Sequence, residues 1–273
     1  MARRRLDAEL VRRQLATSRE RAQALVEAGV VKVNGAVATK SATQVDEAAA
    51  IVVVDAEADH YVSRAAHKLI GALEAFPEIE VRGRSALDAG ASTGGFTQVL
   101  LERGIARVLA VDVGYGQLAW SVRTDPRVTP LERTNLRLLQ PNEVPYRADL
   151  VVADLSFISL RLVLPALLAC TATECDYVLM VKPQFEVGRE QVGQGVVRDP
   201  ELRSRAVLDV AAAAVDAGLV VHGVAASPLP GPSGNVEYFL WLHRGDNEAR
   251  RPGTTDLDAI AAQIAVAVRE GPQ

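Results

Sequence analysis

The sequence predicts an α/β protein in two parts: a mostly parallel, doubly wound sheet covered by helices, preceded by a small α+β module. Three observations carry that prediction. From about Tyr61 onward, short continuous apolar runs alternate with helical segments, the pattern of strands buried on both faces. A glycine-rich turn over residues 88–96 joins the first of these runs to a helix. Residues 1–45 differ in character, with nine Lys and Arg against four Asp and Glu. That stretch is net +5 in a chain of net −4, which leaves −9 to the remaining 228 residues.

Composition narrows the class. With 273 residues, 49% hydrophobic and 23% charged, the chain is neither disordered, collagenous nor a disulfide scaffold. Cys170 and Cys175 form no CxxC pair, as expected of a reducing compartment or of indifference to redox. Arg3, Arg4, Arg5, Asp7 and Glu9 follow Met1 closely, so no secretory leader is expected. Residues 217–236 lack Asp, Glu, Lys and Arg but hold three prolines and four glycines. A span needs about 20 mainly apolar residues in helix, so none is expected there. The expectation is a cytoplasmic protein without membrane insertion.

In the basic module, Leu6, Leu10 and Val11 recur at helical spacing, and Thr17-Ser18 supplies a cap for a second helix over 19–28. Ala22, Leu25 and Val26 form its apolar face, and Gly29 ends it. Residues 30–33 read as a strand entering an Asn34-Gly35 hairpin turn, and 51–54 as the strand that closes the unit. Arginines on the exposed helix side make a plausible RNA-holding surface. The candidate contacts are Arg3, Arg4, Arg5, Arg12, Arg13 and Arg19, with Lys32 and Lys40. Arg5-Leu6-Asp7, Leu10-Val11-Arg12-Arg13, Ser18-Arg19-Glu20-Arg21-Ala22, Leu25-Val26, Gly29 and Val31-Lys32-Val33-Asn34-Gly35 resemble an S4 RNA-binding domain. Arg-Leu-Asp is also a catalytic motif of pseudouridine synthases. Inside the first helix, however, Asp7 is expected to be a local charge partner or cap.

The boundaries expected are 1–55 for this module, 56–64 for a linker, 65–245 for the sheet domain, and 246–273 for a polar stretch and C-terminal helix. The polar residues 56–60 read as a passive tether, the alternative being a link that couples capture by the basic module to ordering of the sheet domain's site. Strand candidates are 85–88, 107–112, 149–154, 177–182, 220–225 and 237–242. Helices fit 96–103, 118–123, 160–168 and 200–217, and Leu257, Ile260, Ile264 and Val268 mark a final amphipathic helix.

The glycine loop lacks the Lys-Ser or Lys-Thr of a phosphate-binding Walker loop. An acid, Asp88, precedes the glycines, which suits a cationic amino-acid ligand better than a pyrophosphate. Asp112, 24 residues on and at the end of the next strand, can accept both hydroxyls of a ribose. Together they describe S-adenosylmethionine, and loop and acid resemble motifs of class I methyltransferases. The cofactor contacts then expected are Asp88, Gly90, Ala91, Ser92, Gly94, Gly95, Phe96, Asp112, Val113, Asn135 and Asp154. Phe157 reads equally well as a ligand contact or a core residue. No metal site is expected.

Asp154-Leu155-Ser156-Phe157 stands where exocyclic-nitrogen methylation employs an Asn/Asp-Pro-Pro-Tyr/Phe loop, and neither cysteine is placed as a nucleophile for a pyrimidine carbon. A hydroxyl acceptor remains, and it needs a base. Lys182 closes an apolar strand, where open α/β sheets place their ligands; Lys68 lies on a helix before the first strand, and Glu237 opens the last. Lys68, Asp154, Lys182 and Glu237, in that order, match the tetrad of FtsJ-like ribose 2'-O-methyltransferases. With Ser63-Arg64 and Lys68, Val181-Lys182-Pro183-Gln184-Phe185-Glu186 and Gly234-Asn235-Val236-Glu237-Tyr238, nearly the whole chain resembles the TlyA family of ribosomal RNA methyltransferases. Ala65-Ala66 departs from the glycine that relatives often carry there.

The resemblance implies a Rossmann-like class I methyltransferase sheet behind an S4 domain, with Lys182 as general base. Desolvation and the neighbouring Lys68 would favour its neutral amine, while Asp154 and Glu237 hold both lysines. It further implies cytidine ribose in 16S, with 23S as a second candidate, so that 30S and also 50S subunits are the partners. Loss of the mark would alter sensitivity to ribosome-directed peptide antibiotics. Two other readings are an RNA-binding assembly factor with an inactive site and a membrane-active haemolysin. The absence of a long basic amphipathic helix opposes the latter.

Overall fold

A computed structural model of the chain describes residues 3–13, 15, 16, 18–27, 29–46, 49–53, 60–188, 190, 192, 195–231, 234–245 and 253–271. It divides into two compact units, Met1–His60 and Tyr61–Gln273.

In the first unit, β1 (Arg3–Arg5) leads into α1 (Leu6–Arg12) and α2 (Arg19–Glu27), followed by β2 (Val31–Val33), β3 (Ala36–Val37), β4 (Gln44–Asp46) and β5 (Ile51–Val53). β2 lies centrally in an antiparallel sheet of order β3-β2-β5. Asn34 and Gly35 join its first hairpin with φ of 51° and 85°, the doubly left-handed turn that matches strand twist. Leu6, Leu10, Ala22, Val26, Val31 and Val45 form the core. The β1–β4 ribbon went unforeseen, because three consecutive arginines carry no apolar alternation. Ser18 caps α2 by accepting the Arg21 N–H at 3.1 Å, while Thr17 lies outside the described residues. So do 54 and 55 of the expected module, 56–59 of the expected linker and 246–252 of the polar stretch near the C-terminus.

Two acids are buried here, and arginines compensate them. Asp7 accepts from Arg5 and Arg19, and Glu9 from Arg12 and Arg13. Asp7 is therefore a local charge partner, its carboxyl held well below the usual range first by the Arg5 hydrogen bond. Hydrogen bonds from Arg12 and Arg13 hold Glu9 down at about 2.

The second unit begins with α3 (Ala65–Ala75), then β6 (Ser85–Ala89), α4 (Gly95–Glu102), β7 (Arg107–Val111), α5 (Trp120–Arg123), β8 (Val128–Leu131) and a 3-10 turn, Leu136–Leu138. It continues with β9 (Ala148–Ala153), α6 (Leu160–Cys170), β10 (Thr171–Val181), α7 (Pro183–Glu186), α8 (Pro200–Asp216), β11 (Val220–Ala226), β12 (Tyr238–Arg244) and α9 (Leu257–Glu270). The sheet runs β11-β12-β10-β9-β6-β7-β8, with β6 to β10 parallel and β12 antiparallel to both neighbours. Chain order reverses between β6 and β9, which opens the crevice where such sheets bind ligands. Alternate residues feed two cores. Leu87, Val151, Leu179 and Leu240 pack under α6, α8 and α9, while Ala86, Leu150, Val178, Met180 and Trp241 pack under α3 and α4.

The strand ends place three polar residues at the rim of this sheet. β9 and β10 stop one residue before Asp154 and Lys182, and β12 starts one residue after Glu237, so all three lie at strand edges rather than within strands. The edge strand β8 was missed, because Thr129 and Pro130 interrupt its apolar run. Helix α5 is shorter than the 118–123 expected, beginning at Trp120. No helix among the described residues is long and apolar enough to cross a membrane.

The first unit should be acid-labile with a defined sign. The Glu9 carboxyl is depressed on folding, so its contribution is complete above the unfolded value of about 4.3 and is lost as pH falls toward 2. Hydrogen exchange in the intact chain should show α1 and α2 amides losing protection across that window. Glu9→Gln should be weaker at neutral pH and flatter below it; an unchanged profile would show that the arginine pairs contribute nothing.

Candidate active site

The carboxyl edge of β6, β7, β9 and β10 carries the site. After Ala89 the chain turns at Gly90 with φ of 85°, passing so close to β9 that a Cβ there would lie 2.8 Å from the Asp154 carbonyl oxygen. Only glycine fits both demands. Gly94, at φ 96°, caps α4 and leaves no room for a Cβ beside Val122. Asp112 braces the loop from β7, accepting the Ser92 N–H at 2.8 Å and the Gly114 N–H at 2.7 Å, one on each carboxylate oxygen.

Two cavities meet at this loop. The larger, about 450 Å³, is lined by Gly90, Ser92, Asp112, Val113, Asn135, Asp154, Ser156 and Phe157, with Gln117, Thr134 and apolar Val111, Leu136, Leu155, Ile158 and Val163. The smaller, about 250 Å³, is lined by Lys68, Ala91, Gly95, Phe96 and Lys182, and shares Gly90, Ser92, Asp154 and Ser156 with the first. Asn135 spends its Oδ1 on the Arg137 N–H, which leaves its amide NH₂ for another acceptor. Phe157 is not a core residue: at φ 65° it is 91% exposed, its ring 5.1 Å from that of Phe185.

Two expected cofactor contacts lie elsewhere. Gly94 lines neither cavity, acting instead in the loop-to-helix turn. Asp88 is wholly buried on the face of β6 that α4 covers, where it accepts the Thr97 hydroxyl at 2.6 Å. Burial drives its carboxyl up to about 7, and its other oxygen has no partner. Its position under the loop, rather than at the ligand, follows from the strand's alternation.

The four residues of the expected tetrad converge from α3 and three strand ends. Lys68 Nζ donates to Glu237 Oε2 at 2.5 Å, and both are almost fully buried. Lys182 Nζ lies 2.6 Å from Asp154 Oδ1 and donates to Ser156 Oγ at 2.9 Å. Each lysine thus has its own carboxylate, Glu237 for Lys68 and Asp154 for Lys182. Lys68, Asp154 and Lys182 line the smaller cavity, with Glu237 behind Lys68. Sequence reasoning missed Thr97, Ser156 and Glu186. The buried Glu186 accepts from Ser159 Oγ and the Leu160 N–H, tying the segment after Asp154 to α7. Burial pushes its carboxyl upward against those hydrogen bonds.

On the first unit, Arg4 and Lys40 are exposed and Lys32 is half-buried in β2, while the Arg3 side chain lies outside the described residues. Arg5, Arg12, Arg13 and Arg19 already serve Asp7 and Glu9.

Residues 61–244 match the FtsJ-like methyltransferase family, and residues 4–51 match the S4 domain. The chain is 59% identical, over the whole of both proteins, to the 16S/23S rRNA (cytidine-2'-O)-methyltransferase TlyA of Mycobacterium tuberculosis. It is 37% identical to Hemolysin A of Brachyspira hyodysenteriae over 81% of this chain and 92% of that one. A solved Streptococcus thermophilus structure described as a hemolysin superposes with a TM-score of 0.76 at 37% identity, over 99% of this chain and 97% of the other.

The residues present fit S-adenosylmethionine. Gly90 lets the loop pack against Asp154 at the cavity wall where a Cβ could not, and each Asp112 oxygen holds one backbone N–H with acceptor capacity to spare. Asp112→Ala removes those acceptors, and one hydrogen bond to a charged group is worth about 1.5–3 kcal/mol. Calorimetry should show S-adenosylmethionine affinity at least about tenfold weaker. Normal binding by that variant would remove Asp112 from the cofactor site.

Proposed function

The chain belongs to the FtsJ-like methyltransferase family, and on that premise we propose that it methylates the ribose 2'-hydroxyl of cytidine in ribosomal RNA, with S-adenosylmethionine as donor. The observation that carries this reading is the pair of lysine–carboxylate contacts beside the smaller cavity, Lys68 with Glu237 and Lys182 with Asp154. An acceptor hydroxyl needs a proton acceptor, and an amine at a cavity wall is one.

S-adenosylmethionine, when bound, supplies an electrophilic methyl group. Gly90, Ser92, Asp112 and Asn135 would hold it, with Asp112 taking the ribose hydroxyls. Lys182 Nζ, as the neutral amine, takes the proton from the RNA 2'-hydroxyl and leaves that oxygen free to attack. Asp154 compensates the charge that Lys182 then gains. Lys68 gives the same cavity a fixed cation, and Glu237 anchors it. General-base help of this kind is worth roughly 10²–10⁴-fold, and alignment supplies much of the rest.

The first unit is read as the part that holds RNA, and the partners as 30S and also 50S subunits, modified in the cytoplasm. Loss of the mark is then expected to change sensitivity to ribosome-directed peptide antibiotics. A lytic reading rests on the names of relatives and on no feature of the described residues. Incubation of unmodified 30S and 50S subunits with labelled S-adenosylmethionine, followed by mapping of ribose methylation, tests the substrate directly.

The site and the basic unit each generate a variant series. Lys182→Ala and Lys182→Arg should both abolish methyl transfer in single turnover with cofactor binding intact, because a guanidinium keeps its proton. Glu237→Gln should retain measurable activity; Glu237→Ala should mainly destabilise, since it strands a buried Lys68 at a cost of about 3–5 kcal/mol. Turnover by Lys182→Arg would leave that residue an electrostatic clamp. On the first unit, replacing Arg4, Arg21 and Lys40 by alanine should weaken RNA binding and flatten its salt dependence, each lost phosphate contact lowering the slope by about 0.9 for duplex RNA treated like B-form DNA. Arg5→Ala and Arg19→Ala should instead also lower the stability of the unit, because each removes one of the two arginines on the buried Asp7. A salt slope unchanged by the first set would place the RNA contact elsewhere.

A further inference from the structure

The two contacts of Lys182 Nζ differ in kind. Asp154 Oδ1 lies 2.6 Å away as an ion pair, yet that oxygen forms no hydrogen bond of acceptable direction. The directional bond goes to Ser156, whose Oγ accepts from Nζ at 2.9 Å. An ion pair acts through distance, so Asp154 fixes where the nitrogen sits. It does not fix rotation about Cε–Nζ, and that rotation decides where the lone pair of the neutral amine points. A proton acceptor must present its lone pair within about 2.6–3.2 Å of the hydroxyl it serves. Ser156 stands where it can set that angle: it is exposed and lines both cavities.

The backbone holds Ser156 in place. It lies between Asp154, at the end of β9, and Phe157 at φ 65°, and three residues on Glu186 clamps the segment through Ser159 and Leu160. Glu186 belongs to α7, whose N-terminal neighbour is Lys182 itself. Donor and acceptor of the Lys182–Ser156 bond are thus tied together at both ends.

We propose that Ser156 is a positioning residue for the proton transfer, turning the Lys182 amine toward the acceptor hydroxyl in the smaller cavity. The proposal rests on the reading of Lys182 as the base. Ser156→Ala, Ser156→Thr and Lys182→Ala are compared in single-turnover methylation of unmodified 30S and 50S subunits at saturating S-adenosylmethionine. S-adenosylmethionine affinity is measured by calorimetry and subunit affinity by filter binding. Ser156→Ala should slow the methylation step about 10- to 100-fold, the range a misplaced catalytic group costs, with both affinities unchanged. Ser156→Thr, which keeps the hydroxyl, should recover most of the rate. A wild-type rate in Ser156→Ala beside an inactive Lys182→Ala overturns the proposal alone, and so does a loss traced wholly to weaker cofactor binding. Full activity in Lys182→Ala overturns the base reading beneath it.

Discussion

The constraint on which the rest of this molecule depends is the keeping of two ammonium groups at the edge of an apolar sheet. Lys68 is 4% exposed and Lys182 is 7% exposed. A buried cation without a partner is untenable, so each must meet a carboxylate, and each carboxylate must come from a different part of the chain. Glu237 reaches Lys68 across 169 residues of sequence, and Asp154 comes from the end of β9. The pairs therefore tie α3 to the start of β12 and the end of β10 to that of β9. They fix the sheet edge as firmly as they serve the site. This is why a change at Glu237 has two consequences, one for charge and one for folding.

The glycine loop answers the same geometry from the other side. Gly90 touches the Asp154 carbonyl, so the loop that would hold the cofactor and the carboxylate that faces Lys182 are set by a single close approach. Any side chain at 90 would push them apart. Asp88, directly beneath, is buried and pushed up to about 7, with one oxygen unpaired. Its neighbours include Asp154 and Asp112, whose charges add to the desolvation. The glycine loop, Asp112 and the Lys182–Asp154 pair thus share one electrostatic environment and are not separable modules.

Much of this was legible in the sequence, and the exceptions have physical reasons. Short apolar runs between helices announced the parallel strands, because strands buried on both faces leave continuous hydrophobic signatures. Strands without that signature, β1 with three arginines and β8 with Pro130, were invisible. Motif order exposed Lys68, Asp154, Lys182 and Glu237, but spacing along a chain says nothing of who pairs with whom; the separate pairs emerged only in three dimensions. Asp88 misled for a related reason. Its sequence position next to the glycines suggested the ligand, whereas strand alternation turned it inward to Thr97. Ser156 gave no signal, since a serine between two motif residues is unremarkable until its distance to Nζ is known.

The basic first unit shows how a charge count can overstate an interface. Nine Lys and Arg over 1–45 suggested a surface for phosphates, yet four of the six candidate arginines hydrogen-bond two buried acids, and Arg4 lies 4.0 Å from Glu9. Those donors are partly spent, and two carboxylates offset half of their four guanidinium charges at short range. What a phosphate would meet is the residual field of the exposed Arg21 and Lys40, together with the outer edges of the paired arginines, Arg4 included. Burying Asp7 and Glu9 also removes four rotamer-rich side chains from free motion, which lowers the entropic cost of presenting those outer edges. The acids that weaken the net charge therefore preorganise the arginines that remain exposed. A phosphate held on this unit would then depend on the geometry of few cations rather than on the number of basic residues.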